Sequence, residues 1–246
     1  MKAPVFSGQT AIVTGGASGL GLAITRRLQA EGAFVIVFDL DIARSAGLAQ
    51  EFGARGRCAA VDVTSEAAVR SAVDAIFSER GRIDILVNNA ALRREKAFAD
   101  MSYADWRELM DVTLDGAFHC VKACLPALRK NGGAIVNIGG MSAHIGSKHR
   151  AHVMTAKAAL VGFTRGLAHD LAADRISVNC AVPGAIDTSR AAAAPSPARH
   201  LTHGTITGER GTSEDVAALV HFLCTPAAHF ITGQAIHANG GAYLGS

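Results

Sequence analysis

Charge is scarce in this chain. Only 18% of its 246 residues are Asp, Glu, Lys or Arg, and the formal net charge is +3. No dense basic run occurs beyond Arg93, Arg94 and Lys96, so the electrostatic footprint of a nucleic-acid-binding protein is missing. Paired cysteine motifs are missing too. Cys58, Cys120, Cys124, Cys180 and Cys224 are odd in number, scattered through apolar segments, and include no CxxC. The simplest reading is buried, reduced thiols in a cytoplasmic protein. Cys120 and Cys124 are spaced to share a helix face, which suits core packing better than a metal site. No apolar stretch reaches the roughly 18 residues that cross a bilayer, and Met1–Phe6 carries no long apolar run of the secretory kind. The expectation is a cytoplasmic protein without membrane or nucleic-acid partners.

Apolar residues are plentiful, at 49%, enough for a large core in one α/β unit. Short apolar β-rich runs alternate with helical patterns. Strands are expected at Thr10–Thr14, Phe34–Phe38, about 57–61, Ile83–Val87, Ala134–Ile138, Ile176–Ala181 and near Ala235–Ala238. Helices are expected from the first turn to about Gly32, and at roughly 42–52, 65–79, Ala104–Leu128, Ala151–Ala172 and 213–224. The strands are continuous apolar runs, the pattern of a parallel sheet covered on both faces. The βαβ alternation never breaks, so a single-domain, Rossmann-type, doubly wound, mainly parallel sheet is expected. Residues 189–211, with Ala191–Ala194, Pro195 and Pro197, carry no strand pattern. An irregular insert there suits a substrate lid.

The first strand runs into Thr14-Gly15-Gly16-Ala17-Ser18-Gly19-Leu20-Gly21 and then a helix. Glycines let backbone approach a pyrophosphate, and the helix N-terminus offers free N–H groups and the positive dipole end. Asp39 lies 18 residues after Gly21, at the end of the second strand. A carboxylate there accepts both ribose hydroxyls and repels a 2′-phosphate. No Arg or Lys follows until Arg44, so NAD is favoured over NADP.

The spacing Thr-Gly-x-x-x-Gly-x-Gly resembles that of the short-chain dehydrogenase/reductase family. Other landmarks follow over almost the whole chain: Asp62-Val63 beside the adenine, Asn88-Asn89-Ala90-Ala91 at the end of the fourth strand, and Pro183-Gly184-Ala185-Ile186-Asp187-Thr188 around the nicotinamide amide. Gly233-Gln234 and Gly240-Gly241 resemble its C-terminal segment. The resemblance implies a cofactor site built from Gly15, Ser18, Gly19, Leu20, Gly21, Asp39, Leu40, Asp62, Val63, Asn89, Ala90, Lys157, Pro183, Gly184, Ile186 and Thr188. It also implies a homotetramer or dimer, paired through the helix bearing Cys120 and Cys124 and the helix after Ala151.

As the resemblance implies it, the chemistry needs a Tyr as acid/base, a Lys four residues later, a Ser that orients the substrate oxygen, and an Asn that holds a water relay. Here the Lys is Lys157, but the Tyr position is Val153, the Ser position Gly140 and the Asn position Thr113. Valine cannot transfer a proton, so any proton relay must differ. Candidate replacements are Ser142, two positions past Gly140 along an extended strand, and His149, one turn before Val153 on the same face if the helix starts early. His152, beside Val153, needs a helix start or shift to point inward, and His144 lies on the loop between. Histidine near its ordinary pKa suits acid/base work; a zinc site from these three lacks an obvious fourth ligand, so no metal is expected. Arg93 and Arg94 follow the fourth strand and, with Arg150, suit a clamp for a carboxylate or phosphate.

Three functions compete. The first is an NAD-dependent dehydrogenase/reductase acting on a small, anionic alcohol or carbonyl compound through a non-standard acid/base. The second is a catalytically silent NAD-binding subunit or sensor. The third, a lyase or dehalogenase, fits least because the dehalogenases that resemble this family fill the cofactor pocket, whereas here the glycines remain.

Overall fold

The computed structural model describes residues 4–187 and 204–245, apart from the side chain of Ile42, and nine strands and eight α-helices lie among these described residues. The order begins β1 (Thr10–Thr14), α1 (Gly19–Ala30), β2 (Phe34–Phe38), α2 (Ile42–Phe52), β3 (Gly56–Ala59), α3 (Glu66–Arg80) and β4 (Ile85–Asn88). Then come α4 (Tyr103–Met110), a π-helical turn (Asp111–Asp115), α5 (Gly116–Asn131), β5 (Gly133–Ile138), α6 (Ser142–Ile145) and α7 (Ala151–Leu171). The chain closes with β6 (Ile176–Pro183), β7 (Ile186–Asp187), β8 (Gly211–Thr212), α8 (Ser213–Cys224) and β9 (Ala235–Ala238).

Seven strands pair in the order β3-β2-β1-β4-β5-β6-β9, all parallel. This is the expected doubly wound sheet, and alternation along each strand divides the core between its faces. Ala11, Val13, Val35 and Val37 pack with Ile24 and Leu28 of α1 and Val216 and Val220 of α8. Ile12, Ile36 and Phe38 pack with Val69 and Val73 of α3, Cys120 and Cys124 of α5, and Leu171 of α7. The cysteines are therefore core residues, and all five are free thiols. β1 lies between β2 and β4, so the chain reverses its winding at the carboxyl end of β1, where such sheets open a ligand crevice.

Hydrophobic pattern located most boundaries, but not those of the long helix. The expected single helix Ala104–Leu128 is divided into α4, the π turn and α5. A π turn inserts one residue into a helix, which a 3.6-residue period does not register. The turn lets α5 approach the β3–α3 loop closely: a Cβ on Gly116 would lie 2.8 Å from Val63 Cγ2.

Capping follows composition. Ser102 and Asp105 form a reciprocal box on α4, and Thr212 and Asp215 do so on α8. The expected lid at about 189–211 lies outside the described residues except for 204–211. There, Ile206 N–H donates to the Gly240 carbonyl at 2.7 Å, and Arg210 pairs with Asp187 at 2.5 Å beside the β7–β8 bridge.

Candidate active site

The β1–α1 turn is shaped by β4. Thr14 Oγ1 accepts the N–H groups of Asn89 and Ala90, both at 3.0 Å, while Asn89 Nδ2 donates to the carbonyls of Thr14 at 3.0 Å and Gly15 at 2.9 Å. Gly15 has φ +60, and a Cβ on Gly21 would stand 2.1 Å from the Gly15 carbonyl oxygen. These glycines are therefore demanded by backbone contact. Ser18 precedes α1 in an extended conformation and makes no side-chain cap, which leaves the first amides of α1 for a ligand. Asp39 Oδ2 accepts the Ala17 N–H and its Oδ1 the Asp41 N–H, each at 3.0 Å. The carboxylate at the end of β2 is thereby fixed against the glycine turn.

A cleft of about 400 Å³ runs from this turn across the sheet's carboxyl edge. Its first end is lined by Asp39, Leu40, Arg44, Asp62 and Val63. Gly15, Ser18, Gly19, Leu20 and Gly21 form its middle with Asn89 and Ala90, and Ile138, Gly139, Gly140, Lys157, Pro183 and Ile186 its far end. This fits an extended dinucleotide: a diol-binding carboxylate, a glycine cradle that a Cβ would fill, and a lysine at the reacting end. Gly184 does not line the cleft. A Cβ there would lie 2.6 Å from Asn239 Cα, so this glycine permits the C-terminal segment to approach. Thr188 lies outside the described residues. Arg44 is ion-paired to Asp41 at 3.1 Å.

The far end holds Lys157, Val153 and Gly140. Lys157 Nζ donates to the Ile138 carbonyl at 2.5 Å. Burial, with the Arg93 charge acting in the same sense and Cys180 opposing it, pushes its pKa down to about 8. α7 is held to the sheet by a buried relay: Asn88 Nδ2 to Asn137 at 2.8 Å, Asn137 Nδ2 to Thr164 at 2.9 Å, and Thr164 to the Leu160 carbonyl at 2.7 Å. Sequence reasoning missed this relay, although Asn88, Asn137 and Thr164 are polar residues in apolar runs. Val153 and Gly140 line the cleft. Thr113 does not; it is buried on the π turn, and its Oγ1 has no partner among the described residues. The chain's two tyrosines, Tyr103 and Tyr243, do not line the cleft either.

Of the expected replacements, Ser142 lines the cleft and the three histidines do not. β5 ends at Ile138, and Ser142 opens the short helix α6, so it is not on an extended strand; it still reaches the cleft wall. His149 has φ +60 and sits before the helix, which starts only at Ala151; its carbonyl accepts the Lys96 N–H at 2.8 Å, and it does not line the cleft. His152 is 1% exposed and absent from the cleft wall. Its pKa is lowered by burial, with Arg94 and Lys96 acting in the same sense and Asp105 opposing them, and Nδ1 has no partner among the described residues. A regular helix rotates residue 152 by about 100° from 153, and α7 begins too early for a shifted start to undo this. His144 packs against His237 and Tyr243, with ring centroids 4.6 and 5.5 Å away. Among the described residues no group of three or more His, Cys, Asp or Glu is placed to hold a metal ion.

Arg93, Arg94 and Arg150 all line the cleft. As a three-armed clamp they are partly committed, because Arg94 pairs with Glu108 and Arg150 with Glu95.

Residues 15–243 match the family model described as Enoyl-(Acyl carrier protein) reductase. The 3-oxoacyl-(acyl-carrier-protein) reductase FabG of Salmonella typhimurium is 34% identical over 241 residues, covering 97% of this chain and 99% of the relative. The enzyme of the same name from Aquifex aeolicus is 35% identical over 244 residues, covering 97% and 98%. A crystal structure of a Brucella melitensis short-chain dehydrogenase/reductase, described as glucose/ribitol dehydrogenase, superposes with a TM-score of 0.92 at 33% identity and full coverage of both chains. The chain belongs to the short-chain dehydrogenase/reductase family. No helix among the described residues is long and apolar enough to cross a membrane.

Proposed function

We propose that this protein is an NAD-dependent oxidoreductase that interconverts a small alcohol and its carbonyl compound, with Lys157 carrying the proton that a tyrosine carries elsewhere in the family. One observation supports the lysine above all others. Among the described residues that line the far end of the cleft, Lys157 is the one whose pKa burial brings down, to about 8, beside arginines, Ser142 and apolar or glycine residues. Bound dinucleotide supplies or accepts the hydride. The chain's part is to hold it, through the glycine turn, Asp39 and the nicotinamide-facing Pro183 and Ile186, and to exchange a proton at Lys157 Nζ. Asp39 favours NAD, because a 2′-phosphate would meet a fixed carboxylate. Tyr103 and Phe118 lie exposed on α4 and α5, which supports assembly as a homotetramer or dimer.

The test is incubation with NAD and a panel of hydroxy acids, sugars and simple alcohols. The reverse direction uses NADH with the matching carbonyl compounds and a 3-oxoacyl thioester. Turnover of cofactor with one substrate class is expected. A second reading, a silent NAD-binding subunit, is favoured by the three substituted positions and by Thr113 being buried off the cleft wall. NAD binding without turnover across the panel would establish it.

A further inference from the structure

The buried relay beneath the cleft does more than join two elements. Asn88 on β4 and Asn137 on β5 are register partners, and two residues earlier on the same face the partners are Leu86 and Ile135. The asparagines therefore form a polar layer just under the carboxyl edge, above an apolar one. From Ala156 onward the buried residues of α7 are apolar except Thr164. Apolar contact has no preferred direction, so residues such as Leu160 and Ala168 hold α7 on the sheet without fixing its place along the strands. The bond from Asn137 Nδ2 to Thr164 Oγ1, at 2.9 Å, does fix it. Asn137 Oδ1 accepts from Asn88 at 2.8 Å, and the Thr164 hydroxyl donates to the Leu160 carbonyl at 2.7 Å. All three side chains are buried, where an unmet polar atom is costly and a met one selects a single arrangement.

Lys157 precedes Thr164 by seven residues, two turns along the same face and about 10 Å up the helix axis. Its acceptor is the carbonyl of Ile138, the residue after Asn137. Two neighbouring residues of β5 thus take both polar contacts from α7, Asn137 from Thr164 and Ile138 from Lys157.

We propose that Thr164 and Asn137 are positioning residues for Lys157, setting the place of α7 on β5 at which Nζ meets the Ile138 carbonyl. The proposal rests on the reading of Lys157 as the proton carrier and adds what places that proton. Without the Thr164 hydroxyl, α7 keeps its apolar contacts and loses its stop along the strand. The ammonium then leaves its anchor for water, and the burial that holds its proton affinity down is relieved.

Competitive labelling reads Lys157 without requiring turnover. The whole protein is pulsed with acetic anhydride across a range of pH, and acetylation of Lys157 is followed by peptide mass spectrometry against the exposed Lys122. The parent should show an inflection near pH 8. Thr164→Val, the same shape without the hydroxyl, should raise it by about half a unit or more, and Thr164→Ser should hold the parental value. Val216→Ala is the control. It removes core on the other face of the sheet, under α8, so it should lower the melting temperature and leave the inflection in place. An unchanged or lowered inflection in Thr164→Val, a Thr164→Ser protein shifted as far as Thr164→Val, or an equal rise in Val216→Ala would each overturn the positioning role. The two readings fail separately. A rise confined to Thr164→Val, in a protein that turns over no substrate, sinks the oxidoreductase reading alone. A parental inflection in Thr164→Val, with turnover that depends on Lys157, sinks this one alone.

Discussion

Lys157 Nζ and the carbonyl oxygen of Ile138 lie 2.5 Å apart, tying the first third of α7 to the last residue of β5. The bond anchors one N–H of the ammonium and leaves two for ligands. The Ile138 carbonyl accepts only while Nζ bears a hydrogen, which both the amine and the ammonium do, so the anchor survives titration.

The pH dependence of kcat/KM follows from this group. Burial holds Lys157 at about 8. Reduction needs the ammonium, so its rate should be flat below about pH 8 and fall up to tenfold per unit above it. Oxidation needs the amine, so its rate should rise up to about pH 8 and level off above. Profiles that both turn near 6.5 would point to histidine instead.

Restoring the missing side chains should restore the family's ordinary proton path. Gly140→Ser has room, and Val153 already faces the cleft. The double variant Gly140→Ser/Val153→Tyr should gain at least about tenfold in carbonyl reduction, against the 10²–10⁴ that a positioned acid/base typically contributes. Gly140→Ser alone should gain little. Steady-state assays at saturating cofactor read this directly.

Cofactor choice should rest on Asp39. Asp39→Ala removes the charge that a 2′-phosphate would meet, so the ratio of NADP to NAD affinity should rise by roughly tenfold or more, about 1.4 kcal/mol. The same change frees the N–H groups of Ala17 and Asp41, costing about 1 kcal/mol of stability for the lost bonds. Paired titrations with both cofactors, alongside thermal melts, separate the two effects.

How much was legible in the sequence divides along physical lines. Apolar runs marked the strands of the sheet, because a parallel strand covered on both faces is mostly apolar. The glycine turn announced itself because Gly15 and Gly21 have no room for a Cβ. The π turn around Thr113 was invisible, since one inserted residue leaves the apolar pattern intact. The histidines misled for a different reason. Proximity in sequence to Val153 says nothing about helix phase, and His152 is buried off the cleft wall while His149 lies outside the helix. The ion pairs of Arg94 and Arg150 join residues far apart in the chain, or a loop to a helix, so sequence spacing did not show them.

The histidines make a prediction of their own, His152 being buried and His144, His221 and His237 half-buried. Burial, the largest cause at each, lowers the pKa of His144, His152, His221 and His237. The unfolded chain then binds more protons as pH drops below about 6.5, the ordinary histidine value, so stability should be full above that pH and decline below it. The melting temperature should drop by several degrees between pH 7.5 and 5.5, and less in His152→Leu. That variant should keep the parental shape of the rate profile, because residue 152 does not line the cleft.

The most direct test of the account is single-turnover hydride transfer in Lys157→Met at saturating dinucleotide, with the substrate that the panel shows to turn over. Lysine removal should slow transfer by a hundredfold or more, in line with loss of a positioned acid/base, and erase the inflection near pH 8 while dinucleotide binding remains measurable. A Lys157→Met protein that transfers hydride at the parental rate, with the parental pH profile, would contradict it.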